Sequence, residues 1–172
     1  MDVPAFADNF RSVYSRATAR YAHGGATAAT LLDSADTAFL VANGITAQHL
    51  FDYVEDSANY GEPSCDEAIA IEVVRRDHFL NVQKGLPSKT VLDPSSMPAK
   101  TQSIQGIAWL PRLLPKARAK LRGELPASMM YGCGGDRAFF QEHRMTGADF
   151  LALVGRNLDA DAPIVAAVAS SR

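Results

Sequence analysis

The strongest constraint on this chain is a repeat within it. Slid against itself by 100 positions, the sequence aligns residues 10–55 with 110–155 without a gap. Ala17/Ala117, Ala19/Ala119, Asp36/Asp136, Ala38/Ala138, Phe39/Phe139, Thr46/Thr146 and Val54/Val154 are identical. Phe10/Leu110, Val13/Leu113, Tyr14/Leu114, Leu40/Phe140, Leu50/Phe150 and Phe51/Leu151 are apolar in both copies, and Arg16/Lys116 and Arg20/Lys120 are both cationic. Two amphipathic stretches can be slid into apparent agreement by periodicity alone. Periodicity does not place turn and cap residues in the same register, so the pattern reads as two copies of one small helical unit.

Each copy reads as helices. From Ala5 to Ala22 apolar residues fall at 6, 10, 13, 14, 17 and 21, a spacing near 3.6. His23-Gly24-Gly25 then ends the helix. Asp36 and Thr46 can accept hydrogen bonds from the free amides of a new helix, and Asp136 and Thr146 repeat the device, so all four are expected as N-caps. A further helix is expected over 66–81, after the turn Tyr60-Gly61-Glu62-Pro63-Ser64, with a shorter equivalent over 162–170 begun by Asp159 or Asp161. Residues 84–105 carry Pro87, Pro94 and Pro98 with several Ser and Thr and little apolar period, which reads as an extended linker. Pro115 should make the next helix start late or kink, because a proline past the first turn removes an intrahelical bond. The expected architecture is all-α: a helical module over 1–83, the linker over 84–105, and a second module over 106–172. Modules of this size bury modest cores, so the two are expected to pack on each other about a pseudo-twofold, with the groove between them as the default ligand site.

Composition narrows the partners. Seventeen basic and nineteen acidic side chains leave a net charge of −2, without the clustered cations that hold phosphate backbones, so nucleic acid is not expected as a partner. No run approaches the ~20 apolar residues that cross a bilayer, and no membrane role is expected. The start of the chain, with an acid at Asp2 and no apolar core segment, does not read as a signal peptide. Cys65 and Cys133 lie in no CxxC or Cys/His ligand spacing, so neither a disulfide framework nor a zinc finger is indicated and a reducing cytoplasm is the natural setting.

The run Leu110-Pro111-Arg112-Leu113-Leu114-Pro115-Lys116-Ala117-Arg118-Ala119-Lys120-Leu121, then Gly123 and Leu125, then Asp136-Arg137-Ala138-Phe139-Phe140, resembles a bacterial family known only as domain of unknown function family 5069. The resemblance covers about the last 65 residues of the chain, and the first copy matches more faintly through Ala17, Ala19, Asp36 and Phe39. Family members usually carry an acid just before the lysine, where this chain has Pro115. The resemblance implies a small, mainly helical cytoplasmic protein and carries no established activity.

Positions alike in both copies are explained by fold, and those that differ are freer for function. Tyr131-Gly132-Cys133-Gly134-Gly135-Asp136-Arg137 is a glycine-rich loop entering a helix, where exposed amides and the positive helix end can hold a carboxylate or phosphate, with Arg137 as a two-pronged donor. The alternative is a plain turn whose helix end Asp136 already satisfies. The loop has neither Walker nor dinucleotide spacing. Arg112, Lys116, Tyr131, Gly134 and Arg137 are the candidate ligand contacts. Cys133 could act as a nucleophile beside a helix start, with His143 two turns on as its base and Asp136 as a third candidate catalytic group; incidental cysteines are commoner.

Elsewhere structural roles account for the polar residues better than chemistry does. His49 with Asp52 could offer two metal ligands, but no third or fourth group can be placed, so no metal site is expected and His49 reads as a solvated position. Arg75-Arg76-Asp77-His78 could orient a general base, or simply form a charged face at a helix C-terminus. Asp52, Glu55, Asp56, Glu62, Asp66 and Glu67 cluster around a turn, where carboxylates are ordinarily solvated. Trp109 could anchor a pocket or start the second core.

The leading expectation is a binding module for a small anionic molecule or a partner segment. A small cofactor-free enzyme using His143, Cys133 or Asp136 is the alternative, and an adaptor protein, acting through an apolar face or as a homodimer, comes third. The residue pattern leaves open whether the chain is an enzyme at all.

Overall fold

The computed structural model describes residues 1–171 and contains, among them, eight α-helices and one small two-stranded hairpin. The chain divides into two compact units, Met1–Leu86 and Pro87–Arg172.

In the first unit α1 (Val3–Ala22) begins at Asp2, whose carboxylate accepts the Ala5 amide, and ends at His23. Helices α2 (Ser34–Ala42), α3 (Ala47–Tyr60) and α4 (Cys65–Asp77) follow, and α4 runs on into one wide turn over His78–Val82. Thr46 caps α3 through the His49 amide, and Ser64 caps α4 in a reciprocal box with Glu67. The apolar stripe read from the sequence becomes the buried face of α1. Phe6, Phe10, Val13 and Ala17 lie against α3 and α4, where Leu50, Val54, Ala68 and Ile71 are buried. Phe6 also stacks on Phe39, centroids 5.9 Å apart. Each large apolar side chain removed from water contributes about 1.5–3 kcal/mol.

The second unit opens with the hairpin β1 (Ser103–Ile104) and β2 (Ile107–Ala108), which no sequence signal foretold. Then come α5 (Leu110–Arg122), α6 (Gly134–Glu142), α7 (Gly147–Arg156) and α8 (Ala162–Ser170). Helix α5 does not wait for Pro115. It starts at Leu110 with Pro111 in its first turn, where a missing N–H costs nothing, and runs through Pro115 at the loss of one intrahelical bond. Leu110, Leu113, Ala117 and Leu121 bury one face, α5 packs on α7, and Phe139, Phe140, Phe150, Val154, Ile164 and Val168 complete the core. Residues 84–105 are largely irregular, but from Pro87 they belong to the second unit. The Leu92 amide donates to the Glu124 carbonyl (2.8 Å), Ser88 to the Glu124 carboxylate (2.7 Å), and Arg112 to the Pro98 carbonyl (2.9 Å).

Two of the expected caps are corrected. Helix α2 is capped by Asp33, which accepts the Asp36 amide, and the residue at the cap of α6 is Cys133. Asp36 and Asp136 stand at the third helical position of their helices and turn inward. Asp33 and Asp36 are three apart, so either could have capped. What draws Asp36 inward is Arg16, and Asp136 meets Lys116 in the same way.

Candidate functional site

The glycine-rich loop and the start of α6 are built around one buried carboxylate. Asp136 has no exposure and accepts three donors: the Trp109 indole N–H at 2.9 Å on Oδ1, and the Lys116 ammonium at 2.7 Å and the Gly132 amide at 2.9 Å on Oδ2. A buried charge without such partners would cost several kcal/mol, on the order of what a small domain has to spare. The glycines make the approach possible. Gly132 turns at φ +87°, and a Cβ on Gly135 would sit 2.4 Å from the Trp109 ring. Trp109 itself is left-handed at φ +66°, which brings its indole over the helix start.

Several of the expected ligand contacts belong to the scaffold instead. Lys116 is 3% exposed, and its charge is matched by Asp136. Tyr131 is buried and donates to the Gly147 carbonyl at 2.7 Å; burial first, and then the Asp136 charge, push its phenol well above the usual value. Arg112 is committed to the Pro98 carbonyl. Gly134 remains exposed, and Arg137 lies beside it, with one guanidinium nitrogen donating to the Gly132 carbonyl at 2.7 Å and another 3.9 Å from where a Gly134 Cβ would be. Cys133 is half-buried, and its Sγ receives a hydrogen bond from Lys116 Nζ at 3.2 Å.

The pairing of Cys133 with His143 is not formed. Cys133 is the cap at the start of α6 and His143 the residue at its end, ten positions on, a rise of about 15 Å. His143 is fully buried, its ring tilted against Phe139 with centroids 4.4 Å apart, with Nδ1 3.3 Å from the Val168 carbonyl. Asp136, enclosed by three donors, serves as an anchor for the loop.

The corresponding place in the first unit is built differently. The Asp33 carboxylate accepts the Asp36 amide at 2.8 Å and so fills the start of α2, whereas no side chain caps α6. The first-turn amides of a helix have no partner within it. At α6 no side chain supplies one.

Several polar residues of the first unit are buried, which corrects the reading of His49 as solvated and of Arg75, Arg76 and His78 as part of a charged face. His49 is 6% exposed, and Glu72, Arg75, Arg76 and His78 are all buried. Tyr53 donates to Glu72 at 2.9 Å, Arg75 lies 5.2 Å over the Phe79 ring, and Arg76 reaches both Asn43 and the Met1 carbonyl at 2.6 Å. Burial lowers the Arg75 pKa, with the Glu72 charge opposing. The signal was in the sequence: 68, 72, 75, 76 and 79 recur at helical spacing on the face that carries Ala68 and Phe79. Of the acidic residues near the turn, exposed Asp66 pairs with Arg11 of α1 at 2.8 Å and Glu67 joins the α4 cap. Among the described residues no three His, Cys, Asp or Glu side chains gather as a metal site, and no helix is long and apolar enough to cross a membrane. A shallow cleft of about 330 Å³ is lined by Arg118, Leu158, Asp159 and Asp161, and within it Arg118 bonds Asp161 at 2.6 Å.

No protein-family model matches the chain, and no curated protein or solved structure is significantly similar to it.

Proposed function

We propose that the second unit binds a small anionic group, a carboxylate or a phosphate, at the start of α6. The contacts are the first-turn amides from Gly134 onward, the Cys133 side chain and the Arg137 guanidinium. The observation that carries this reading is the missing cap: α2 has the Asp33 carboxylate at its start, and α6 has Cys133 with no side-chain bond to its amides. The exposure of Gly134, which has no Cβ to shield the helix end, supports it. Lys116, Tyr131 and Arg112 hold the loop in shape and do not touch the ligand.

Titration with inorganic phosphate and with acetate, followed by thermal unfolding, tests the proposal. An anion at ten times its Kd should raise stability by about 1.4 kcal/mol. Cys133→Asp supplies the carboxylate that α2 already has and should abolish that response, and Arg137→Ala should weaken it. A response unchanged in Cys133→Asp would refute the site.

We also infer that the two units arose from one duplicated helical module. Supporting this, α2 and α6 span 34–42 and 134–142, α3 and α7 begin at 47 and 147 under Thr46 and Thr146 caps, and each unit pairs α1 or α5 with the next helix through a matching ion pair.

A further inference from the structure

We propose that Cys133 and Lys116 are a redox pair that closes into a covalent sulfur–nitrogen link when a hydroperoxide oxidises the cysteine. This inference stands on the contact between the two side chains and does not depend on anion binding. Three features of that contact carry it. Sγ and Nζ already lie 3.2 Å apart in a hydrogen bond. Lys116 is held in place, with 3% exposure and a second bond from Nζ to Asp136 Oδ2 at 2.7 Å, so its amine has little freedom to leave the sulfur. Cys133 is half-buried at the mouth of the loop, next to exposed Gly134, where a small oxidant has access.

The chemistry balances in two steps. A hydroperoxide transfers one oxygen to sulfur: the O–O bond breaks, an S–O bond forms, and the alcohol or water released carries the thiol proton. The sulfenic acid is electrophilic at sulfur and condenses with a neighbouring nitrogen. The Lys116 ammonium first gives one proton to Asp136 Oδ2, 2.7 Å away, which frees the lone pair on Nζ. The neutral amine then attacks Sγ, the S–N bond forms and the S–O bond breaks. A second proton leaves with the hydroxyl as water, and the third stays on nitrogen. Sulfur is oxidised by two electrons overall and the peroxide is reduced by two. A thiol reductant reverses the link by attack on sulfur.

Cys65 offers no such partner. It opens α4 half-buried, and burial raises its pKa ahead of any charge effect, with Arg11 the cation that acts on it.

The test is intact-mass measurement and peptide mapping of the full chain after treatment with one equivalent of hydrogen peroxide. The expected product is about 2 Da lighter than the starting protein, contains a peptide joining residues 116 and 133, and returns to the starting mass with dithiothreitol. The same product should form in Cys65→Ser and be absent from Cys133→Ser. Lys116→Arg keeps a cation for Asp136 and should accumulate species heavier by about 16 or 32 Da at Cys133. Wild-type protein oxidised at Cys133 to those heavier species without a link overturns the proposal. So does a loss of mass that maps to a Cys65–Cys133 disulfide, or a Cys133 that survives the treatment unchanged. Because the decisive map is made on wild-type protein, the result does not depend on whether a variant folds.

Discussion

The starts of α2 and α6 share a plan and differ in how it is finished. Both helices span nine residues, both place an aspartate at the third position, and both turn it inward to a cation from the preceding long helix. In the first unit that cation, Arg16, is half exposed, and a second acid, Asp33, closes the helix end. In the second unit the cation, Lys116, is buried, the carboxylate gathers an indole and a backbone amide as well, and the helix end is left to a cysteine. The difference teaches where a scaffold can be modified. Both starts have the inner ion pair because a buried aspartate must be matched, while a side-chain cap contributes only about 1 kcal/mol and α6 does without one.

The largest test of this comparison is the inner pair. Lys116→Met should leave Asp136 buried without its cation and cost about 3–5 kcal/mol. Arg16→Met also leaves a buried aspartate, Asp36, but should cost less, because the half-exposed guanidinium it removes leaves that carboxylate open to water. Urea midpoints for the two variants read both values, and equal losses would mean the pairs are not built as differently as their burial indicates.

Next are the residues after the two helices. Each leaves its helix through a left-handed residue, Gly44 at φ +74° and Arg144 at φ +49°, and the following amide reaches back to Leu40 or Phe140 at 2.9 and 3.0 Å. A Cβ on Gly44 would stand 2.5 Å from the Phe79 ring. Gly44→Ala should therefore cost about 2–4 kcal/mol, from left-handed strain together with overpacking. Arg144→Gly relieves strain and should stabilise by about 1 kcal/mol. Substitutions of opposite sign at matching positions are a sharp demand, and chemical denaturation of the two variants meets it or fails.

How much of this was legible in the sequence follows from which interactions are local. The stripe in α1, the Thr46 and Thr146 caps and the bounds of α8 rest on contacts within one or two turns, and the residue pattern displays them. The choice between Asp33 and Asp36 as cap rests on Arg16, a turn and a helix away, so helical spacing alone pointed to the wrong acid. The loop was recognisable as glycine-rich, but the purpose of Gly135 appears only when Trp109 is laid across it, 26 positions earlier in the chain. His143 looked available because a helix wheel shows a face and does not show that α8 covers it through Val168. Arg75, Arg76 and His78 were misread for a related reason: charged residue types outweighed a spacing that marked the inner face.

Smaller in size is Cys133→Asp, which should convert the second helix start into a copy of the first. A capping carboxylate stabilises a helix by about 1 kcal/mol. A gain in urea midpoint with the anion response gone is the expected pair of results. A loss of stability would show that the loop around Cys133 cannot adopt the geometry that Asp33 has at α2.

The smallest effect at neutral pH is at Tyr131, and it grows with alkalinity. Tyr131→Phe removes one buried hydrogen bond to the Gly147 carbonyl and should cost about 1 kcal/mol. Burial raises the folded-state pKa of this phenol well above 10.0, whereas the unfolded chain ionises near 10. Below that pH both states hold the proton and stability does not change with pH on this account. Above it the unfolded state loses its proton while the folded state keeps it, so stability falls by up to about 1.4 kcal/mol per pH unit until the folded-state pKa is reached. Tyr14 in α1 is shifted in the same direction, again mainly by burial, so Tyr131→Phe should remove only part of the alkaline slope and Tyr14→Phe another part. Urea midpoints measured from pH 9 to 11 separate the two shares. A Tyr131→Phe slope identical to wild type would mean that the phenol reaches water, and the loop under Asp136 would then be more open than the first unit's counterpart at Leu31, which is fully buried.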